Sequence, residues 1–192
     1  MDPSPPVVQE SVIGPSYSVV SYYLQSSLQA GYYLTTPNAA VGSKISMNPP
    51  RAPPPSNQKW FLQNIKSSNT TAIVCTDGSN QLALDGGTMI AGTQLQLSEF
   101  NLSSPKPSQQ WILNGNCWQL ANYNLVMDVA GGNRKAGTAV ILWTVNSPPS
   151  TNQQFTLIRL ESCSTPFTKG PSDTANLLQL QIDMRILCSY MQ

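Results

Sequence analysis

The chain contains no histidine in its 192 residues. That absence removes the commonest general base, the usual proton shuttle of a nucleophilic triad and the commonest metal ligand together. Charge is scarce as well: Asp, Glu, Lys and Arg make up 10% of residues, and the formal net charge is +1. Without a run of Lys or Arg there is little to displace phosphate counterions, so a nucleic-acid partner is not expected. No run of about 18 to 20 apolar residues occurs, which argues against a helical membrane span. Residues 1–10 hold Asp2 and three prolines but no basic residue, unlike a secretory leader. The expectation is a cytoplasmic chain. Its four cysteines, Cys75, Cys117, Cys163 and Cys188, show no CxxC spacing and are too few for a disulfide scaffold. Neither a metal nor any other cofactor is implied.

What the chain does have is short bursts of alternating apolar and polar residues. Examples are Tyr32-Tyr33-Leu34, Thr71-Ala72-Ile73-Val74-Cys75, Leu95-Gln96-Leu97 and Val140-Ile141-Leu142-Trp143. Tyr17-Ser18-Val19-Val20 reads the same way. Between the bursts lie Asp77-Gly78, Asp85-Gly86-Gly87, Asn114-Gly115 and Gly131-Gly132-Asn133. These residue types accept positive φ at low cost, so the pattern is strand, tight turn, strand, and the class is all-β.

The pattern also repeats. Leu82-Ala83-Leu84-Asp85 lies over Leu125-Val126-Met127-Asp128, Gly92-Thr93 over Gly137-Thr138, and Gln109-Gln110-Trp111 over Gln153-Gln154-Phe155. An earlier copy offers Tyr33-Leu34-Thr35-Thr36, Gly42-Ser43 and Gln58-Lys59-Trp60, which sets Thr36 over Asp85. Units of about 45 residues are too small to bury their own apolar faces, so three of them must close on a shared core. The repeats run over about 17–65, 66–114 and 115–158 within a domain of residues 15–160. A flexible segment, 1–14, precedes it, and an extension, 161–192, follows.

Gln-x-Trp once per repeat, after an apolar-x-x-Asp step and a Gly-Thr strand, resembles the ricin-type (QxW) lectin family. The likeness extends to its cytoplasmic fungal ricin-B-like members. The resemblance implies a β-trefoil with pseudo-threefold symmetry, six strands in a short barrel and six capping it as hairpins. It also implies a non-enzymatic, glycan-binding protein for galactose- or N-acetylgalactosamine-type sugars, and a role in defence. Phe155 replaces one Trp but keeps an aromatic, and all three rings, Trp60, Trp111 and Phe155, are expected in the core.

In that family a sugar site joins the Asp of the second strand, an aromatic ending the third, and the Asn and Gln opening the motif. The chemistry is general: a carboxylate accepts bonds from adjacent hydroxyls, an amide donates and accepts, and a ring covers the sugar's C–H face. The third repeat supplies every part in Asp128, Trp143, Asn152 and Gln153, although Ile141 stands where a supporting Gln is common. Against this, Asp128 before Val129-Ala130-Gly131-Gly132 also reads as a turn-forming Asp. A second site draws on Asp85, Gln96 and Gln109, with Ser98 in place of the ring and Ser108 in place of Asn. The first repeat, with Thr36, Asn48 and Asn57-Gln58, lacks both carboxylate and ring and is expected to be silent.

Three further readings concern segments and rival functions. The run Pro49-Pro50-Arg51-Ala52-Pro53-Pro54-Pro55 reads as a stiff exposed loop, and a trefoil protease inhibitor acting through such a loop is the alternative function. A glycosidase would need two carboxyls about 5 to 10 Å apart, and the threefold repeat should hold Asp85 and Asp128 further apart than that. Leu177, Leu180, Met184, Leu187 and Met191 form one stripe at helical spacing, so the tail is expected to be a helix over 173–190 that docks on its own domain or supports a homodimer.

Overall fold

The computed structural model describes residues 20–50, 56–76 and 81–160. The first segment, the centre of the proline run, the Asp77-Gly78 turn and the tail with its expected helix lie outside them. The described residues form twelve antiparallel strands joined by turns and four single-turn 3-10 segments. Three four-stranded units succeed one another. The first comprises β1 (Ser21–Ser26), β2 (Tyr33–Thr35), β3 (Ser46–Asn48) and β4 (Phe61–Ile65). The second comprises β5 (Thr70–Thr76), β6 (Gln81–Asp85), β7 (Gln96–Glu99) and β8 (Trp111–Asn114). The third comprises β9 (Cys117–Leu120), β10 (Leu125–Val129), β11 (Thr138–Thr144) and β12 (Phe155–Leu160).

Outer strands of the units close a six-stranded ring. Within each unit the first and last strands meet at the motif aromatic: Tyr22 bridges Trp60, Thr71 pairs with Trp111, and the Phe155 amide donates to the Asn116 carbonyl at 2.7 Å. Between units the ring continues through β4–β5, β8–β9 and β12–β1, the last of these zipping Ser21–Ser26 against Phe155–Leu160. Such closure leaves the barrel without a free edge.

The inner strands form hairpins β2–β3, β6–β7 and β10–β11. A cycle of three backbone hydrogen bonds ties them: Ile45 N–H to Leu95 O at 2.9 Å, Leu95 N–H to Val140 O at 2.9 Å, and Val140 N–H to Ile45 O at 3.1 Å. A second cycle matches it, with the amides of Gly42, Gly92 and Gly137 donating to the carbonyls of Leu97, Leu142 and Met47 at 2.7 to 2.8 Å. All three glycines sit at φ between 81° and 90°, a conformation that costs an L side chain and leaves Gly as the natural occupant. These paired cycles are the pseudo-threefold axis written in hydrogen bonds, and the architecture is a β-trefoil.

The core follows from the same repetition. Ile45, Leu95 and Val140 are fully buried near the axis, with Leu34, Leu84 and Met127 one layer away. Trp60, Trp111 and Phe155 are at most 1% exposed and belong to that cluster. Each indole donates to the second strand of its own unit, Trp60 Nε1 to Leu34 O at 2.9 Å and Trp111 Nε1 to Leu84 O at 3.2 Å. The Phe155 ring has no N–H to place and fills the third position by apolar contact. Burial of aliphatic side chains of this size contributes roughly 1.5–3 kcal/mol each, so the core rather than any single bond holds the fold.

The indole bonds correct the repeat alignment. Because Leu34 stands where Leu84 stands, the residue matching Asp85 and Asp128 is Thr35, not Thr36. Thr36 instead matches Gly86, since the two amides donate to the carbonyls of Asn57 and Ser108. Among the described residues no helix is long and apolar enough to cross a membrane.

Candidate functional site

The hairpin β10–β11 pairs Asp128 with Ile141 and Val126 with Trp143. Side chains alternate along a strand, so Asp128, Ile141 and Trp143 share the face opposite Met127 and Leu142, which are buried in the core. Trp143 is therefore a diagonal neighbour of Asp128, about 7–8 Å off by ordinary sheet geometry. Its ring is 46% exposed although it is the largest side chain type, while Asp128 beside it is 3% exposed. An unburied indole next to a nearly buried carboxylate is the reverse of what packing alone would choose.

The 3-10 turn Thr151–Gln153 brings the remaining two groups. Asn152 Nδ2 donates to Asp128 Oδ1 at 2.8 Å, and Gln153 Nε2 donates to Asp128 Oδ2 at 2.9 Å. Gln153 is itself fixed: its amide also donates to Thr144 O at 2.9 Å, and its oxygen accepts the Asn146 N–H at 2.9 Å. Asp128 is thus oriented by two side-chain amides. Burial pushes its carboxyl above the ordinary value, while the Gln153 and Asn152 hydrogen bonds pull it down. A carboxylate offers about four acceptor positions, so two remain after these bonds are made.

The second repeat has the same skeleton with different wiring. Asp85 Oδ1 accepts the Gly87 N–H at 2.7 Å, and Oδ2 accepts the hydroxyl of Ser98, the residue at the place of Trp143. Gln109 Nε2 donates to Ser98 Oγ at 2.7 Å and to Glu99 O at 2.8 Å instead of reaching the carboxylate. Gln96 lies opposite Asp85 in the ladder, yet its amide oxygen accepts Lys44 Nζ at 2.7 Å. The turn-forming role that the sequence allowed for Asp128 falls on Asp85.

In the first repeat Thr35 takes the carboxylate's place, accepting Gln58 Nε2 at 3.0 Å and donating to Tyr33 O at 2.8 Å. Thr36 is fully buried and donates to Asn38 O at 2.6 Å, so it faces no site. The three motif glutamines, Gln58, Gln109 and Gln153, are each at most 1% exposed. Each braces the end of the third strand of its own unit, at Pro49 O, Glu99 O and Thr144 O.

Two relations were not foreseen from the sequence. Gly92, in the second unit's loop, lies against the Trp143 ring, so that a Cβ there would stand 3.9 Å from Cζ3. The third-repeat ring is therefore flanked by its neighbour's turn, which the threefold repetition of Gly42, Gly92 and Gly137 signals. The second is the Ser98 hydroxyl as the partner of Asp85, a diagonal neighbour across the hairpin that residue spacing does not mark. Cys75 and Cys117 are both buried.

The fold has clear counterparts among solved structures. The designed threefold-symmetric protein ThreeFoil is similar over 73% of this chain and 99% of its own, at 21% identity and a TM-score of 0.61. The C-half of the earthworm R-type lectin, solved in complex with GalNAc, is similar over 73% and 99%, at 23% identity and 0.58. The Macrolepiota procera ricin B-like lectin, solved in complex with lactose, is similar over 75% and 98%, at 20% identity and 0.54. No family model matches the chain, and no curated protein matches it by sequence. At these identities the shared property is the β-trefoil fold.

Proposed function

We propose that this protein is a lectin whose principal site is the third repeat. The observation that carries the reading is Asp128, held by two side-chain amides and sharing one hairpin face with the exposed ring of Trp143. In this reading the two free acceptor positions of Asp128 receive adjacent sugar hydroxyls, Asn152 binds a further hydroxyl, and Trp143 covers the C–H face. Gln153 positions Asp128 from below. The groups bind and orient a neutral ligand; the proposal assigns no catalytic residue. The structural neighbours solved with GalNAc and lactose support a galactose- or N-acetylgalactosamine-type ligand.

A site of this kind is shallow, and a few hydrogen bonds plus one ring contact give a monovalent Kd between about 10 μM and 1 mM. The inhibitor alternative has no support among these neighbours. A glycan array followed by isothermal titration with the best hit tests the reading. Binding that survives both Trp143→Ala and Asp128→Asn would move the site elsewhere.

A further inference from the structure

The seam between the first and second units holds a cleft of about 590 Å³ that the third-repeat site does not use. On one side lies the turn between β2 and β3, at Ala39, Ala40 and Val41; on the other lie Gln81, Glu99 and Phe100 from the ends of β6 and β7. Phe100 is anchored, because its amide donates to Gln81 O at 3.1 Å and its ring packs on the satellite cluster of Ile65, Ala72, Val74 and Ala83. The ring remains only half-buried, and Val41 across from it is 61% exposed.

The polar side chains at this seam contrast with Asp85 on the same hairpin. Both oxygens of Asp85 have protein partners. Neither the Glu99 carboxylate nor the Gln81 amide has a hydrogen bond or ion pair with any described residue. Glu99 is nonetheless fixed in the backbone, since its carbonyl accepts Gln109 Nε2 at 2.8 Å. The cleft therefore gathers one uncommitted carboxylate, one uncommitted amide, one partly open ring and a wall of methyl groups. A carboxylate and an amide suit vicinal hydroxyls, while a ring and methyls suit the C–H face of a pyranose. The volume is within the range of small-ligand sites, and the negative charge disfavours anionic sugars.

We propose that this seam is a second carbohydrate site, for a neutral sugar residue, with Glu99 and Gln81 binding hydroxyls and Phe100 with Val41 covering the apolar face. The proposal rests on reading the chain as a sugar binder but not on the third repeat being its site. A chain with two sites on different faces gains avidity on clustered glycans without new contacts.

The test is a ¹H–¹⁵N titration of the full chain with lactose, N-acetylgalactosamine, N-acetylglucosamine and mannose, each to about 20 mM, well past a millimolar Kd. Expected are saturable shifts at the Gln81, Glu99 and Phe100 amides that persist in Trp143→Ala and vanish in Glu99→Ala. Ala40→Trp, which fills the cleft from an exposed turn, should abolish them too without touching the core. Shifts near Asp128 alone would overturn the seam site and leave the third-repeat reading standing. Shifts at the seam alone would support it and sink that reading. No saturable shift at either place with any of the four sugars overturns both.

Discussion

Asp85 and Asp128 occupy equivalent positions in the second and third units, near the ends of equivalent strands, and are almost equally buried, at 4% and 3% exposure. Their surroundings differ in kind. Asp85 is closed by a backbone N–H two residues on and by a hydroxyl from the facing strand of its own hairpin. Asp128 is held by amides 24 and 25 residues away, and the position on the facing strand that matches Ser98 carries an exposed indole rather than a hydroxyl. One substitution pattern explains the divergence. With Ser at 98 the strand end reaches back and satisfies the carboxylate; with Trp at 143 it cannot, and the motif turn moves in to hold the charge. The same backbone therefore yields a structural aspartate in one unit and, in our proposal, a ligand-binding one in the next. An aspartate in register is not sufficient evidence of a site; what its oxygens bond to distinguishes the two cases.

The widest separation between the units is expected in binding. Trp143→Ala removes the ring from a surface position, so its effect on stability should be small while sugar binding falls below detection by isothermal titration, a loss of about 100-fold or more. Asp128→Asn should do the same. Its side chain can still meet Gln153 with the amide oxygen and Asn152 with the nitrogen once the Asn152 amide turns over, so the fold is retained. Removing a charge that burial disfavours should leave unfolding free energy within about 0.5 kcal/mol of the parent. If Trp143→Ala binds normally, the contrast between the repeats has no functional content.

Asp85→Ala should show the opposite profile. It strands the Gly87 N–H and the Ser98 hydroxyl in a nearly closed environment, at a cost of about 1–3 kcal/mol in chemical denaturation. Binding at the third repeat should be unchanged. Asp85→Asn keeps an oxygen for Gly87 and should cost less. A stable Asp85→Ala protein with lost sugar binding would reverse the assignment of the two carboxylates.

Much of this was legible in the sequence. Apolar spacing, the Gly-Thr steps and the recurring Gln-x-aromatic marked the all-β class and the threefold plan, because each landmark has a fixed mechanical duty, while the count of twelve strands came from the resemblance to the ricin-type family. The glycines stand at positive φ, the rings fill the core and the glutamines brace a strand end. The convergence of Asp128, Asn152 and Gln153 was an expectation carried by the resemblance to the ricin-type family, and the hydrogen bonds bring the three together. The first repeat misled, because with no Asp to mark the position Thr36 looked as good as Thr35. Counting back from Gly42 by the Asp85-to-Gly92 spacing lands on Thr35, so the Gly landmark carried more information than the threonine pair. The hydroxyl lock on Asp85 and the seam cleft were not legible. Both depend on which side chains already have partners, a property of the packed molecule that residue spacing does not encode.

The finest expected effect is a pH dependence set by Asp128 in the third repeat. Burial raises the Asp128 carboxyl above its ordinary value despite the two amide bonds. The folded state therefore binds the proton more tightly than the unfolded chain does. Its contribution to stability is present in full below the unfolded value and is lost as pH rises through the folded value. Sugar binding, which needs the ionised acceptor, runs the other way: affinity should fall as pH drops through the raised folded value, above the usual aspartate range, while the fold gains slightly in stability over the same interval. Measured together by titration calorimetry and denaturant midpoint, the two curves should cross in opposite senses. Asp128→Asn should remove this contribution from the stability curve and the pH dependence from sugar binding. Affinity that holds constant down to the ordinary aspartate value would mean that Asp128 does not carry the sugar, even if Trp143 does.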